Sequence, residues 1–370
     1  MTKRTIKVKF TDVVENTSRN CYGETNERNS NKLYIRELLK RMYHLDEHSE
    51  PDYVFTYVPS AQCKGFEYGR YKNAVIIFLQ GENVFPDFFC FDYSIGSDPM
   101  LKYGGRYFYY PSMLSSPYTA QFYDKMLKKH ENVLDDMASR GFCAMTVSNG
   151  DNAARERERF FHMLSQYKTV ESGGRFLNNI GGPVKDKFLF ETAHKFTIAF
   201  DNVENGMVQE KIGMAFAAQT VPIYWGNPNV KTIYNEKAFI NCHAYDSFEQ
   251  VVDAVRRIDQ DDSTYLSMLR EPVFIGSEKT WAQWEDELCE FLRGIIEQPK
   301  EKAIKRRTEN WMGIMQEMRL DGFRRLYKKR RSQAIRVRCL KMLYAPIKRF
   351  VPDNELTVKI RRKVLKAMGL

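Results

Sequence analysis

At 370 residues, 43% of them hydrophobic, the chain can bury two cores of ordinary size, which excludes a disordered or fibrous protein. Its seven cysteines are scattered, odd in number and without a CxxC pair, which argues for reduced thiols in a cytoplasmic protein and against a disulfide framework. The net charge of +10 is uneven: residues 324–370 hold 16 Lys and Arg against only Asp353 and Glu355, so the body is mildly acidic and the basicity belongs to a tail.

The opening run MTKRTIKVKF has charges but no apolar h-region, so no signal peptide is expected. No window approaches 18 uninterrupted apolar residues, so no membrane span is expected either. Thr5 to Phe10 alternates and predicts a first strand. Lys32 to Tyr43 places Ile35, Leu38, Leu39 and Met42 on one side of a helix. Tyr53 to Val58 is aromatic and β-branched, a second strand. Ala74 to Leu79 is a continuous apolar run, a central strand.

At the carboxyl end of that strand stands Gln80-Gly81-Glu82-Asn83, where α/β proteins place working residues. Glu82 reads either as a general base or as a solvated loop carboxylate. The aromatics crowded around Asp87, Asp92 and Asp98, and the YFYYP run after Arg106, read as a sugar-stacking surface or as core. Phe142 to Val147 predicts another buried strand. Asn152 is positioned to cap the helix that carries Phe160, Phe161 and Leu164. Arg155, Arg157 and Arg159 fall in its first turns, against the helix dipole. Phosphate recognition explains them, and so does pairing with Glu156 or Glu158.

The stretch from Lys195 to Pro228 organises the chain. Thr197 to Phe200 predicts a buried strand ending at Asp201-Asn202. A polar loop follows, then a helix with Glu210 and Lys211 near its start and Ile212, Ala215 and Phe216 on one face. Val221 to Trp225 predicts a second strand, closed by Gly226-Asn227-Pro228. Strand, helix and strand at this spacing make a βαβ unit and hence a parallel sheet. Ligands of such sheets sit at the carboxyl ends of strands beside helix N-termini, so the 201–211 loop is where an anionic ligand is expected. Neither GxxxxGK[ST] nor GxGxxG occurs. Asp259-Gln260-Asp261 spells DxD but falls in a polar turn, read as a solvated loop. His44 and His48 lack a third ligand for zinc.

The run FDN…VQEK…VPIYWGNP resembles the donor-binding motif of the α-1,3/1,4-fucosyltransferases, usually FEN…VTEK…PIYWG-P. The flanks agree in order: GEN-x-x-PDF-x-x-FDYSIG-x-D at 81–98, SN at 148–149, SGG…NN-x-G at 172–181 and FIN at 239–241. The resemblance covers roughly residues 75–275. It implies a GT-B fold, two Rossmann-like α/β domains facing a cleft: an acceptor domain at 1–145 and a nucleotide-sugar domain at 146–310. It also implies an inverting transfer of L-fucose from GDP-fucose to a hydroxyl of an acceptor glycan, α-1,3 to a GlcNAc-type residue of a surface glycan, with no divalent metal required. Glu82 matches the family's general base. Arg157 matches the arginine facing the donor phosphates. Asn202, Glu210 and Lys211 match donor-site residues, Lys211 toward phosphate and Glu210 toward the ribose. Asp201 stands where Glu is usual, Gln209 where Thr is usual, and Met207 where close bacterial relatives often have Tyr. These departures bear on the donor sugar, so a relative using another nucleotide-linked sugar is the rival reading. A catalytically silent binding protein of the same fold is a second rival, opposed by the retention of Glu82 and Lys211.

Residues 311–370 predict a basic helical tail broken at Pro346 and Pro352, ending in the amphipathic LTVKIRRKVLKAMGL. Such a segment lies on an anionic leaflet; nucleic-acid binding and a solvated face are the other readings of its charge. The reading adopted is peripheral attachment to the inner face of the membrane, close to an oligosaccharide or glycolipid acceptor, with no nucleic-acid partner.

Overall fold

The computed structural model describes residues 3–11, 31–57, 71–81, 83–148, 150, 154–276 and 278–306, with scattered helical positions between 311 and 332. Two sheets, both parallel throughout, form the frame. The first contains β1 (Thr5–Phe10), β2 (His44–Glu47), β3 (Tyr53–Tyr57), β4 (Val75–Leu79), β5 (Tyr93–Gly96) and β6 (Tyr107–Tyr109), in the order β2-β1-β3-β4-β5-β6. Helix α1 (Asn31–Met42) crosses from β1 to β2 and buries Ile35, Leu38 and Leu39. The β4 run VIIFL is buried at every position, as a central strand covered on both faces must be. The edge strand β2, HLDE, was not foreseen: it is short, polar and part-exposed, and carries none of the apolar signal of a strand. The aromatic segments at 93–96 and 107–109 become β5 and β6, and Tyr93 and Tyr110 are core residues.

Two short helices, α2 (Pro117–Ala120) and α3 (Tyr123–Leu127), lead to the second sheet. It is built from β7 (Gly141–Met145), β8 (Val170–Ser172), β9 (His194–Ile198), β10 (Val221–Tyr224) and β11 (Ile240–Asn241), in the order β11-β10-β9-β7-β8. The strand at 141–145, which the sequence reading placed at the end of the first domain, pairs here. Helices α4 (Glu156–Tyr167), α5 (Lys187–Thr192), α6 (Glu210–Ala217), α7 (Phe248–Asp259) and α8 (Asp262–Arg270) accompany this sheet.

The chain then returns. Helix α9 (Trp281–Ile296), opened by a capping box between Thr280 and Gln283, buries Leu288, Leu292 and Ile295 in the core of the first sheet. Tyr34 donates to Glu285 at 2.5 Å and Tyr53 to the Ile296 carbonyl at 2.9 Å. After α10 (Lys300–Ala303), Arg306 enters the first half and meets Asp92. Asp92 is fully buried. It accepts from the backbone N–H of Ile76 (2.8 Å), Lys305 (2.7 Å) and Arg306 (2.8 Å) as well as from the Arg306 guanidinium. Arg306 also donates to the carbonyls of Tyr71, Lys72 and Ala74. Residues 281–306, assigned to the nucleotide-sugar domain from sequence, are thus packed on the first sheet.

Removing one member of a buried, hydrogen-bonded ion pair strands the other. Asp92→Ala is therefore expected to cost about 3–5 kcal/mol, read as a lower urea midpoint and Tm. A loss below about 1 kcal/mol would show that the return segment is not anchored by this pair.

Candidate active site

Strand β9 ends at Ile198, and the chain runs through Ala199 and Phe200 to Asp201 and Asn202 before looping to α6. Asp201 is 1% exposed. Its Oδ2 accepts from Tyr224 Oη at 2.7 Å and from the Gln209 N–H at 3.3 Å. Its Oδ1 lies 4.0 Å from Lys211 Nζ. Burial pushes its carboxyl up to about 6, against the pull of Lys211.

Arg157, from the first turn of α4, is 1% exposed and donates to the carbonyls of Phe200 and Asp201, both at 2.9 Å, and to Asn202 Oδ1 at 2.8 Å. It ties down the end of β9, and neither Glu156 nor Glu158 figures in these bonds. Asn202 in turn accepts the Ala154 N–H at 2.8 Å. The position of Asn152 lies outside the described residues.

Glu210 opens α6 and Lys211 follows it. Burial alone would raise the Glu210 carboxyl, but Lys211, Lys187 and the helix N-terminal N–H hold it below the usual range. Burial draws the Lys211 ammonium below the ordinary lysine range, although Glu210 and Asp201 oppose this. Lys211 Nζ donates to Gln209 Oε1. The structure thus brings Arg157, Asn202, Glu210 and Lys211 to one place, at the carboxyl end of β9 and the N-terminus of α6.

Glu82 lies outside the described residues, but its neighbour Asn83 clasps the loop between β9 and α6. Asn83 Nδ2 donates to the Asn205 carbonyl, and Asn83 Oδ1 accepts the Met207 N–H at 3.1 Å. From the other side, Asn227 donates to the Gly206 carbonyl. Gly206 has φ +90°, and a Cβ there would lie 1.9 Å from Asn83 Oδ1, so only glycine fits. Ser97 adds a backbone bond, its carbonyl accepting the Val208 N–H at 3.2 Å. The segment after β4 and the loop before α6 are therefore one assembly.

Beside it, at the ends of β7 and β8, is a cavity of about 150 Å³ lined by Thr146, Ser148, Gly173, Gly174, Arg175 and Lys187. A Cβ on Gly174 would lie 1.8 Å from the Val147 carbonyl oxygen. Asn179 accepts the Ser172 N–H and donates to the Val170 carbonyl, both at 2.8 Å, and Asn178 accepts the Gly182 N–H. These bonds account for the SGG…NN-x-G run as the scaffold of this wall. Behind it the buried Glu191 accepts from Thr146 and lies 3.7 Å from Lys187 Nζ. Sequence reasoning missed this group, since nothing in KDKFLFET marks a lysine and a glutamate that will be buried.

The DxD segment is not a solvated loop throughout. Asp259 pairs with Lys195 and Lys168, both at 3.1 Å, and accepts from Tyr167, while Asp261 caps α8. Among the described residues, no three His, Cys, Asp or Glu side chains converge on a point.

Two parallel-sheet α/β halves, with polar loops meeting at the carboxyl ends of their strands, define a GT-B glycosyltransferase architecture. Residues 138–311 match the family model described as glycosyltransferase family 10 (fucosyltransferase) C-term, and residues 19–115 match the α-(1,3)-fucosyltransferase FucT N-terminal domain. An α-(1,3)-fucosyltransferase FucT of Helicobacter pylori is 31% identical over 287 residues, 68% of this chain and 58% of that protein. The chain thus spans less than two thirds of that relative. A crystal structure of an α1,3-fucosyltransferase superposes with TM-score 0.65 at 23% identity, covering 80% of this chain and 91% of that one. Another, solved with GDP-fucose, gives 0.61 at 25% identity, covering 80% and 92%. The chain belongs to the fucosyltransferase family.

The raised Asp201 carboxyl has a measurable consequence. Its folded pKa exceeds the unfolded value, so the folded state holds the proton more tightly and stability from this group falls as pH rises from about 4 to about 6. Relative to its standing at pH 4, Asp201→Asn is expected to gain about 3 kcal/mol on the wild type above pH 7, measured by urea unfolding. A difference that does not change with pH would contradict the buried, raised carboxyl.

Proposed function

We propose that the protein transfers L-fucose from GDP-fucose to a hydroxyl of an acceptor glycan, with inversion, forming an α-1,3 linkage to a GlcNAc-type residue of a surface glycan. The observation that supports this reading is the clasp of Asn83 on residues 205–207, which joins the segment after β4 to the loop leading to Glu210 and Lys211. The crystal structure solved with GDP-fucose supports the donor. In this mechanism Glu82 takes the proton of the acceptor hydroxyl as its oxygen attacks the anomeric carbon. The bond from that carbon to the diphosphate breaks on the opposite face, and GDP departs. Lys211 offsets the charge growing on the diphosphate, and Glu210 holds the ribose. Arg157 contributes charge from beneath while it fixes Asn202 and the end of β9. No divalent ion is required in this scheme. Met207, 6% exposed, is packed inside the loop, which keeps a different GDP-linked sugar as the competing donor.

The test combines two substitutions. Glu82→Gln is expected to lower turnover by about 10²–10⁴-fold with GDP affinity unchanged. Lys211→Ala is expected to raise the Kd for GDP by about ten- to a hundredfold, the loss of one charge-assisted contact, in buffer without added metal. Near-normal transfer by the first variant removes Glu82 from the mechanism. Preference for UDP or for GDP-mannose overturns the donor, and an absolute need for Mn²⁺ or Mg²⁺ overturns the metal-free scheme.

The acceptor proposed is a lipid-borne glycan at the inner face of the membrane, with the tail as the attachment. Among the described residues no helix is long and apolar enough to cross a membrane. The charge of residues 324–370 supports peripheral attachment, and so do the helical residues Trp311, Ile314, Met315 and Met318. They recur at one-turn spacing and are each more than half exposed. The last described positions before the tail, through Arg306, belong to the folded body. A chain ending before Arg324, which keeps residues 311–318 but not the charge, is expected to lose the salt-sensitive part of its binding to anionic vesicles while still transferring to a soluble acceptor. Equal binding to neutral vesicles, or salt-sensitive binding to nucleic acid with none to vesicles, would overturn this.

A further inference from the structure

Beyond the donor loop lies a cavity of about 630 Å³ that the scheme above does not use. It is within the range of small-molecule sites, roughly 300–1,000 Å³. Its two walls continue the loops that grip the donor segment. Pro99 and Met100 follow Ser97, which binds Val208, and Thr232 to Tyr234 follow Asn227, which binds Gly206.

Two phenols line it, Tyr109 at the end of β6 and Tyr234 after β10. Tyr234 is 4% exposed. Neither hydroxyl has a hydrogen-bond partner among the described residues, and neither is shut off from water, Tyr109 being half-buried at the chamber wall; burial of the rings still pushes both phenols above the ordinary tyrosine range. Both therefore stay protonated, each able to donate and accept. Tyr123 in the same wall is different: it accepts from Trp284 Nε1 at 3.1 Å and donates to the Lys279 carbonyl at 3.3 Å. Trp284 and Phe274 supply apolar walls, the Trp284 ring lying 5.8 Å from that of Tyr109 and the Phe274 ring 5.3 Å from that of Tyr234. The Lys279 ammonium is taken up by Glu287 at 2.7 Å and by the Trp284 face.

Two hydroxyls left unbonded by the protein, beside aromatic walls in a chamber of this size, suit a ligand that is polar at its edges and apolar on its faces. A hydrocarbon chain would leave both phenols unsatisfied. A phosphate would meet Lys102, but Lys279 is already paired and the Glu278 carboxylate stands on the same lining. We propose that this chamber is an acceptor-extension subsite, binding sugar residues of a neutral oligosaccharide beyond the one that receives the transferred sugar. This rests on the glycosyl-transfer reading above.

The full chain should be titrated with chitotetraose, maltotetraose and N-acetylglucosamine, without donor, by calorimetry. At least one tetrasaccharide is expected to bind ten times more tightly than the monosaccharide. The double variant Tyr109→Phe, Tyr234→Phe, which keeps both rings, should lose about tenfold of that affinity while its Kd for GDP stays unchanged. Saturation-transfer NMR on the unaltered protein provides a second readout: the tetrasaccharide signal should persist under saturating GDP. Tetrasaccharides bound no better than the monosaccharide, binding equal in wild type and variant, or displacement by GDP would each overturn the proposal. Transfer and glycan binding are separable outcomes. Tyrosine-dependent binding without any turnover of GDP-fucose would fail the transfer reading alone, and turnover without tyrosine-dependent binding would fail the chamber alone.

Discussion

Helix α6 belongs to the second sheet by connectivity and by its contact with β10, while its apolar face also joins the core that the first sheet shares, and the geometry of the site depends on that double membership. Ile212, Met214, Ala215 and Phe216 sit in the same apolar cluster as β3, β4 and α9. Gly213 faces Met113 so closely that a Cβ would lie 2.4 Å from its Cγ. With no side chain at 213, the helix backbone can press onto the segment that follows β6. Its N-terminus, with Glu210 and Lys211, is thereby presented where the loops of both sheets converge.

Above α6, polar groups do the aligning. Asn83, Gly206 and Asn227 form a short chain of contacts across the loop tip. Arg157 does the same beneath, through carbonyls at 200 and 201 and the side chain of Asn202. Each is a buried or half-buried polar group whose loss would leave its partners unsatisfied. The loop between β9 and α6 carries little apolar surface of its own and owes its shape to these asparagines and one arginine.

Much of this was legible in the sequence, for identifiable reasons. Continuous apolar runs such as VIIFL fix buried parallel strands whatever surrounds them, and the spacing of Phe160, Phe161 and Leu164 fixes a helix face. The stretch from Lys195 to Pro228 was recognisable because its strand, loop and helix are local. Readings failed where the deciding partner is distant in sequence. Strand β2 exists because β1 offers a free edge, not because HLDE favours extension. Asp92 waits for Arg306, more than two hundred residues on. Arg157 reaches the carbonyls of Phe200 and Asp201 beyond β9, more than forty residues on. Helix α9 has the composition of any amphipathic helix, and partners distant in sequence assign it to the first sheet: Tyr34 and Arg41 meeting Glu285, and Tyr53 meeting the Ile296 carbonyl.

The return of the chain to its starting half fixes where mechanical load enters the molecule. Arg306 is hooked under the first sheet by Asp92 and by three backbone carbonyls. Everything after it is therefore tethered to that half and not to the half that carries Lys211. A force applied to the tail is delivered to the strands around Asp92, leaving the second sheet as the lighter, freer body. The two covalent crossings, near 115–140 and 271–281, and the α6 contact are what such a body would pivot on. Opening and closing of the cleft would then be a motion of the second sheet relative to a stationary first one.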